Sequence, residues 1–213
     1  MCIRDSGGVT EAEPGGSDYW DARYASIGDQ NVSWYQPEPT ISLELIEHVA
    51  TAGASVVDVG GGASRLVDHL LAVGYRDLTV VDLSAEALRA SKDRVGDAPV
   101  TWVAADVRDW QPARAFDVWH DRAAYHFLTD IGDQDRYWQL VRETVPPGGH
   151  VVIATFALDG PESCSGLPVA RYSAARLAAA MGAGFTVVET RPEVHRTPSG
   201  GSQSFTWLVA ERV

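Results

Sequence analysis

Three aspartates at equal spacing are the residues of this chain whose type and placement most clearly suggest chemistry. Asp58, Asp82 and Asp106 are 24 residues apart, and each accompanies a short apolar run such as residues 56–59. One strand, one helix and their turns together take about this length. In a parallel sheet, consecutive units of this kind bring their strand ends to one edge, where ligands bind. The spacing therefore predicts three carboxylates around one ligand.

A glycine-rich turn follows the first of these aspartates. Gly60 and Gly62 allow the backbone to approach a ligand closely and to adopt positive φ angles. Asp82 comes about twenty residues after the turn, where a carboxylate can accept hydrogen bonds from both hydroxyls of a ribose. This order of strand, glycine turn, helix, strand and aspartate is typical of a nucleotide-binding unit.

The residues around the turn indicate which nucleotide is bound. A dinucleotide fingerprint requires a third glycine where this chain has Arg65, so that match is incomplete. Asp58 precedes the turn and would repel a phosphate, whereas it suits an ammonium group. S-adenosylmethionine combines adenosine with an amino-acid ammonium and carries no phosphate. A nicotinamide-dependent oxidoreductase is the less favoured alternative among enzymes.

With these motifs the chain resembles the class I, seven-stranded S-adenosylmethionine-dependent methyltransferases. Their first motif reads D/E-x-G-x-G-x-G/S, and here it runs from Asp58 to Ser64. The resemblance implies that Asp106 accepts a hydrogen bond from the adenine amine and that Val107 offers its backbone N–H to the ring. Leu83 is expected in the same cofactor site. The implied activity is methyl transfer from S-adenosylmethionine, with the acceptor left open.

Aromatic residues near the amino terminus form a second constellation. Trp20 and Tyr24 are four positions apart and would share one face of a helical turn, and Trp34 follows. Aromatic faces attract cations such as a sulfonium, although plain packing explains such residues equally well. The arrangement resembles the group that includes the elongation factor 1A lysine methyltransferases, over the amino-terminal half only. That resemblance implies that the three residues close the methionine end of the cofactor.

Candidate catalytic residues follow the fourth predicted strand. The sequence there does not continue as in the lysine methyltransferases, so protein-lysine specificity is not implied. His120, Asp121 and His126 are the candidates, because a histidine near neutral pKa suits removal of a proton from the acceptor. A structural role for these histidines remains the alternative. Arg122 is expected either to bind a substrate carboxylate or to form a surface ion pair.

The segment at residues 157–169 follows the fifth predicted strand and contains glycine and proline without any period. Its length and its position on the ligand side predict a lid over the substrate. Cys164 lies in this segment, and no nucleophile or redox motif surrounds it. It is expected to be a packed or partly exposed thiol.

Composition limits the class of partner and the location. The formal net charge of −12 argues against a nucleic acid as partner, because phosphate contacts need clustered lysine and arginine. No apolar run is long enough to span a membrane, so a cytoplasmic protein without membrane contact is expected. Two cysteines give neither a disulfide framework nor a metal motif, and no metal is expected. The oligomeric state is not predicted.

The apolar pattern predicts alternating strands and helices. Strands are expected at residues 56–59, 78–83, 100–104, 116–120, 150–156, 185–191 and 204–210. Helices are expected at residues 40–50, 64–73, 84–95, 133–145 and 173–181. Such alternation implies an α/β fold with a mostly parallel sheet covered on both faces. The turn between the last two strands is placed at residues 195–201.

The family resemblance adds the details of the architecture. It implies a three-layer Rossmann-like sandwich with strand order 3-2-1-4-5-7-6 and strand 7 antiparallel. Residues 18–213 are expected to form a single domain. Residues 1–17 are expected to be disordered or non-native, because they are rich in glycine, glutamate and proline. A scaffold or sensor that binds the cofactor without catalysis remains an alternative from another functional class.

Overall fold

The computed structural model describes residues 13–213 of the chain. Seven strands form the main sheet: β1 Ser55–Val59, β2 Asp77–Asp82, β3 Val100–Ala104, β4 Val118–Arg122, β5 His150–Phe156, β6 Phe185–Arg196 and β7 Ser202–Arg212. The α-helices in the described part are α1 Ser17–Ile27, α2 Thr40–Val49, α3 Leu66–Ala72, α4 Ala85–Val95, α5 Ile131–Thr144 and α6 Ala174–Met181. A hairpin of two-residue strands, Ser163–Cys164 and Leu167–Pro168, lies outside the sheet, and a 3-10 turn covers Tyr125–Phe127.

The sheet has the order β3-β2-β1-β4-β5-β7-β6 when only its own strands are numbered. β1 pairs in parallel with both β2 and β4, so that Val57 lies between Thr79 and Trp119. β7 runs antiparallel to β5 and to β6. The predicted strand order and the antiparallel seventh strand are confirmed. The order reverses between β1 and β4, which is where open α/β sheets bind their ligands.

Helices cover both faces of the sheet because successive strand residues point to opposite sides. Val56 and Val118 face one layer, where they join a buried cluster with α2 and α3. Val57 and Trp119 face the other layer and pack with α5 and α6. Both faces are therefore apolar, which explains why β1 is buried at every position.

The position of β4 differs from the prediction by two residues. The sequence predicts a strand at residues 116–120, whereas β4 covers Val118–Arg122. The carboxylate of Asp117 accepts hydrogen bonds from the backbone N–H and the hydroxyl of Ser55, both at 2.8 Å. The N–H of Phe116 donates to the carbonyl oxygen of Thr144. Because residues 116 and 117 make these contacts, β4 begins at Val118. The candidate residues His120 and Asp121 therefore both lie inside the strand.

The amino-terminal helix α1 extends beyond the single turn that the aromatic spacing predicts. None of its eleven residues is buried, so it lacks the one-sided apolar pattern that identifies a helix in a sequence. Its first residue, Ser17, and the segment at residues 13–16 belong to the part that was expected to be disordered. The rest of that segment, residues 1–12, lies outside the described residues.

The last two strands are longer than predicted, and the turn between them is correspondingly shorter. β6 reaches Arg196 although it contains Pro192, because it is an edge strand and one side needs no backbone donor. The turn then takes residues 197–201. Within residues 13–213, no helix combines the length and the apolar character needed to cross a membrane.

Candidate active site

A cavity of about 380 Å³ lies at the carboxyl ends of β1, β2, β3 and β4. Asp82 and Asp106, two of the three equally spaced aspartates, line it together with Leu83 and Val107. The third, Asp58, lines a neighbouring recess of about 40 Å³. Four residues line both spaces: Tyr24, Trp34, Gly60 and Arg122. The fold therefore brings the predicted cofactor residues to two adjoining spaces.

The glycine turn after β1 is packed too closely for side chains. Gly60 has a φ of +70°, and a Cβ there would lie 2.6 Å from the Cβ of Ala124. Gly62 has a φ of +36°, and its Cβ would lie 2.7 Å from Oδ2 of Asp82. Both positions thus require glycine for conformation and for space. The turn backbone is held directly against the carboxylate that ends β2.

Asp82 has an unusual environment for a carboxylate. Desolvation in the cavity wall raises its pKa to about 7, and the nearby charges of Asp58 and Asp21 add to this effect. The N–H of Ser84 donates a hydrogen bond of 2.8 Å to Oδ1, which opposes the shift. No arginine or lysine pairs with Asp82 in the described part of the chain. The site therefore favours a ligand that brings hydrogen-bond donors to this carboxylate.

Asp106 is held at the cavity edge by Arg108. The guanidinium of Arg108 donates to both carboxylate oxygens, and its backbone N–H donates to Oδ1 at 2.8 Å. Burial raises the pKa of Asp106, but the bonds from Arg108 outweigh that effect and keep it below its usual value. Arg108 also reaches Asp133 at 3.4 Å. The carboxylate is ionised and oriented beside Val107.

Asp58 ends a chain of buried hydrogen bonds. Its Oδ1 lies 2.7 Å from Nδ1 of His120, and Nε2 of that ring lies 3.0 Å from the hydroxyl of Ser42. An ionised carboxylate only accepts, so Nδ1 carries the proton, and in the neutral ring Ser42 donates to Nε2. All three residues are buried and line the smaller recess. His120 therefore fixes the orientation of Asp58.

The aromatic residues of α1 and the following loop form one wall of the larger cavity. The rings of Trp20 and Trp34 are 5.9 Å apart, and those of Tyr24 and Trp34 are 6.1 Å apart, all in edge-to-face contact. Trp20 also packs against Phe127 at 5.1 Å. Desolvation of the Tyr24 phenol group and the nearby Asp82 raise its pKa, so the phenol stays neutral. Trp20, Tyr24 and Trp34 thus meet at the cavity.

Two of the three candidate catalytic residues lie away from both spaces. Asp121 is fully buried and accepts hydrogen bonds from the N–H groups of Ala124 and Tyr125 and from the hydroxyl of Tyr137. Burial raises its pKa to about 6. His126 is also fully buried, and neither ring nitrogen has a partner in the described part of the chain. Neither residue lies at the expected active-site rim: Asp121 is inside β4, and His126 is in the 3-10 turn that follows it.

The environment of His126 argues further against an exposed base. Its ring lies 4.6 Å from the rings of both Phe127 and Phe156. Burial, together with the charge of Arg122, lowers the pKa of His126 to about 3. Such a ring stays neutral at physiological pH and takes up a proton only weakly.

Several cavity residues carry no clear signal in the sequence. Ala123 has a φ of +73°, which is strained for alanine, and it lines the cavity with Ala124. Residues 13–16 also line the cavity although this segment was expected to be disordered or non-native. The predicted lid at residues 157–169 contributes Cys164, Leu167 and Pro168 through its hairpin.

The turn of this hairpin explains how it is held over the cavity. Ser165 and Gly166 have φ angles of +52° and +82°, as the two central residues of a type I′ turn require. The hydroxyl of Tyr19 in α1 donates to the carbonyl oxygen of Ser165. The helix and the hairpin therefore meet across the cavity.

Comparison with known sequences shows which proteins part of this chain resembles. Residues 56–149 match the family described as a methyltransferase domain. An uncharacterized methyltransferase of Mycobacterium bovis is 32% identical over 103 residues, which are 47% of this chain and 50% of the relative. The mouse eEF1A lysine and N-terminal methyltransferase is 29% identical over 84 residues, which are 39% of this chain and 12% of that protein. The chain spans half or less of the length of the curated relatives it matches.

A solved structure with a similar fold covers almost the whole chain. The 1,6-didemethyltoxoflavin-N1-methyltransferase of Burkholderia thailandensis, with bound 1,6-didemethyltoxoflavin and S-adenosylhomocysteine, superposes with a TM-score of 0.69. The match covers 92% of this chain and 84% of that one at 24% identity, so it is evidence for the fold alone. The matched domain contains the glycine turn, Asp58, Asp82 and Asp106, and the sheet has the strand order of this fold. The chain therefore has the fold of the class I S-adenosylmethionine-dependent methyltransferases, and its residues 56–149 match a methyltransferase domain.

Proposed function

We propose that this chain transfers a methyl group from S-adenosylmethionine to a small-molecule or protein side-chain acceptor. The observation that carries the proposal is Asp82, a carboxylate without a cationic partner in the described chain, set against the backbone of Gly62. A ribose supplies two hydroxyl donors to such a carboxylate. The glycine turn leaves no room for side chains at that point, so the residues present fit the cofactor.

The two ends of the cofactor have separate candidate partners. Asp106 and Val107 line the larger cavity and are proposed to hold the adenine, with Leu83 beside them. Asp58 lines the smaller recess, where an ionised carboxylate suits the ammonium of the amino-acid end. Gly60 lines both spaces and lies between these two ends.

The role of the chain in methyl transfer is to position the acceptor and to exclude water. When bound, S-adenosylmethionine supplies an electrophilic methyl group, and the acceptor displaces S-adenosylhomocysteine. Trp20, Tyr24 and Trp34 are proposed to close the methionine end, since aromatic faces attract the sulfonium cation. Any proton released by the acceptor passes to solvent or to a base.

His120 is proposed to act through Asp58 rather than on the acceptor. Both of its ring nitrogens are engaged, one with Asp58 and the other with Ser42. A direct catalytic role for His120, Asp121 or His126 stays a prediction. The buried positions of Asp121 and His126 favour structural roles for these two.

The volume of the cavity, about 380 Å³, favours a small acceptor. Residues 13–16, helix α1 and the hairpin at residues 163–168 all contribute to its walls. Small acceptors occur among similar proteins, since the Burkholderia structure holds 1,6-didemethyltoxoflavin. The net charge of −12 supports the proposal that no nucleic acid is the partner.

Formation of S-adenosylhomocysteine in the presence of metabolite and protein extracts tests the proposed activity. Turnover is expected with the wild-type chain. In Asp82→Ala, loss of two charge-assisted hydrogen bonds should weaken cofactor binding by at least about tenfold. Cofactor binding without turnover against any extract would indicate a scaffold or sensor. Binding of NADH with no binding of S-adenosylmethionine would contradict the proposal.

A further inference from the structure

Arg122 is a buried arginine with incomplete hydrogen bonding. Its side chain is 9% exposed, and it lies at the end of β4 where it lines both the larger cavity and the smaller recess. Nη1 donates to the carbonyl oxygen of Trp34 at 3.0 Å. Nε and Nη2 have no hydrogen-bond partner among residues 13–213. A guanidinium has five donors, and leaving several unpaired in a buried site is costly.

The nearest carboxylate does not satisfy this guanidinium. Oε1 of Glu193 lies 3.7 Å from Nη2, which is beyond hydrogen-bond distance. Glu193 is held instead by two other donors: Nε2 of Gln36 at 3.0 Å and Nε1 of Trp207 at 2.7 Å. Because these bonds fix Glu193, it balances part of the charge of Arg122 without pairing with its fork. Burial lowers the pKa of Arg122, and the nearby carboxylate of Glu193 opposes this shift only in part.

Further unpaired donors lie close to Arg122 on the side of the hairpin. Arg122, Arg23 and Ser165 are all near enough to the thiol of Cys164 to affect its pKa, which burial nevertheless raises. Among the described residues, Nε of Arg23 and the hydroxyl of Ser165 are buried without a hydrogen-bond partner. Two cations and a hydroxyl therefore lie around one cavity residue, with Glu193 as a neighbouring carboxylate of Arg122. A ligand whose polar atoms only accept hydrogen bonds would satisfy these donors.

The smaller recess, which Arg122 also lines, contains a negatively charged residue. Asp58 and Arg122 both line this space of about 40 Å³. One carboxylate and one guanidinium around so small a space match the ammonium and the carboxylate of an α-amino acid. The same guanidinium also borders the larger cavity beside Cys164.

We infer that Arg122 is the receptor for a carboxylate carried by one of the two ligands of the active site. The inference rests on the proposed function and extends it to a residue for which neither the cofactor motifs nor the family match specifies a role. The carboxylate belongs either to the amino-acid end of the cofactor or to the methyl acceptor. Its two oxygens accept hydrogen bonds from the fork that Glu193 leaves unpaired.

The first experiment tests the cofactor as the source. Calorimetry measures the affinity of wild type and Arg122→Gln for S-adenosylhomocysteine and for 5′-methylthioadenosine, which lacks the amino-acid end. If the cofactor supplies the carboxylate, Arg122→Gln weakens the binding of S-adenosylhomocysteine by at least about tenfold. The affinity for 5′-methylthioadenosine then stays within about threefold of wild type.

The second experiment tests the acceptor as the source, with S-adenosylhomocysteine bound. Benzoate and benzamide have nearly the same shape and differ in charge, and their affinities are compared by calorimetry. If the acceptor supplies the carboxylate, wild type prefers benzoate by at least about tenfold and Arg122→Gln loses the preference. Glu193→Gln removes the opposing charge, so it should strengthen benzoate binding by about threefold or more.

Matched variants guard against a simple folding defect. Arg142 is another part-buried arginine, bonded to the carbonyl oxygen of Met181 and outside both cavity linings, so Arg142→Gln should leave both preferences unchanged. Arg122→Lys keeps the charge but not the planar fork, and it replaces Arg122→Gln if that variant does not fold. It should retain part of whichever carboxylate preference is found.

The inference is overturned if substitution of Arg122 changes neither the preference for S-adenosylhomocysteine over 5′-methylthioadenosine nor the preference for benzoate over benzamide. Failure of the proposed function would look different. A chain that binds neither S-adenosylhomocysteine nor 5′-methylthioadenosine has no cofactor site. The benzoate comparison, repeated without S-adenosylhomocysteine, would still report on Arg122.

Discussion

Asp82 shows how a single residue connects the fold to ligand binding. The strand end and the glycine turn enclose its carboxylate, and this desolvation raises its pKa to about 7. Hydroxyl donors of a ribose bind the ionised form more strongly than the protonated form. Ligand binding and proton release by Asp82 are therefore linked, and this linkage can be measured.

We expect the affinity for 5′-methylthioadenosine to rise with pH. This ligand has no group that titrates near neutrality, so the dependence reports on the protein. Below the pKa of about 7, each unit by which the pH falls should weaken binding by up to about tenfold. Above pH 8 the affinity should level off. Asp82→Asn should remove the dependence between pH 6 and pH 8. Asp106→Asn is the control, because the pKa of Asp106 is already below its usual value.

The same shift has a consequence for the stability of the ligand-free chain. Because the folded state holds the proton of Asp82 more tightly than the unfolded state, the contribution of this group is greatest below its usual pKa of 3.8. It is lost as the pH rises through about 7. Denaturant unfolding of wild type and Asp82→Asn between pH 4 and pH 8 measures this loss. A parallel pH dependence in both proteins would contradict the assignment.

His126 allows a structural role to be separated from a catalytic one. Its pKa of about 3 lies below that of the unfolded chain, so stability should fall as the pH drops from 6.5 towards 3. His126→Leu removes two unpaired buried nitrogens, and the free energy of unfolding should stay equal or rise by about 1 kcal/mol. Turnover, measured once an acceptor is known, should persist. A loss of about a hundredfold with intact cofactor binding would instead support the predicted base.

Among the elements, the amino-terminal segment closes the cavity in a way that its composition does not suggest. Residues 13–16 line the cavity, and the carbonyl oxygen of Gly16 accepts from the N–H of Trp20 at the start of α1. We expect deletion of residues 1–16 to weaken cofactor binding more than deletion of residues 1–12. Calorimetry with S-adenosylhomocysteine compares the two truncated chains. Equal affinities would show that residues 13–16 are dispensable, as their composition suggests.

Helix α1 also offers a test of the aromatic wall. If Trp20 faces the sulfonium, Trp20→Ala should weaken the binding of S-adenosylmethionine more than that of S-adenosylhomocysteine, since only S-adenosylmethionine carries the positive charge. The difference should be about threefold to tenfold. Equal losses for both ligands would favour packing against Trp34 and Phe127 as the whole role of Trp20.

For the whole molecule, the acidic excess sets the response to salt. The chain has 29 acidic and 17 basic residues, and like charges destabilise a compact state through repulsion. Raising sodium chloride from 10 mM to 150 mM shortens the range of this repulsion to about 8 Å. We therefore expect Tm to rise over this interval. A fall in Tm would mean that ion pairs such as Arg94 with Asp68 outweigh the net charge.

The alternation of strands and helices could be predicted from the sequence because it depends on local patterns, whereas the strand order was implied by the resemblance to a known family. Periodic apolar runs indicate strands and helices, and their alternation restricts the sheet to few topologies. The spacing of Asp58, Asp82 and Asp106 places one carboxylate near each of three strand ends. Errors arise where tertiary contacts override the local pattern, as when Asp117 bonds to Ser55 and shifts the start of β4.

By itself, the sequence determined the α/β fold class and the motifs of the proposed cofactor site, since glycine turns and strand-end carboxylates act through nearby backbone, and its resemblance to a known family implied the sheet order. Only the tertiary structure decided what each polar side chain faces. His120 meets Ser42 from α2, which is 78 residues away in the chain, and His126 is enclosed between two phenylalanine rings. Arg122 lies near Glu193 and Cys164 from distant segments. Such contacts depend on how distant elements pack, and no local pattern encodes them.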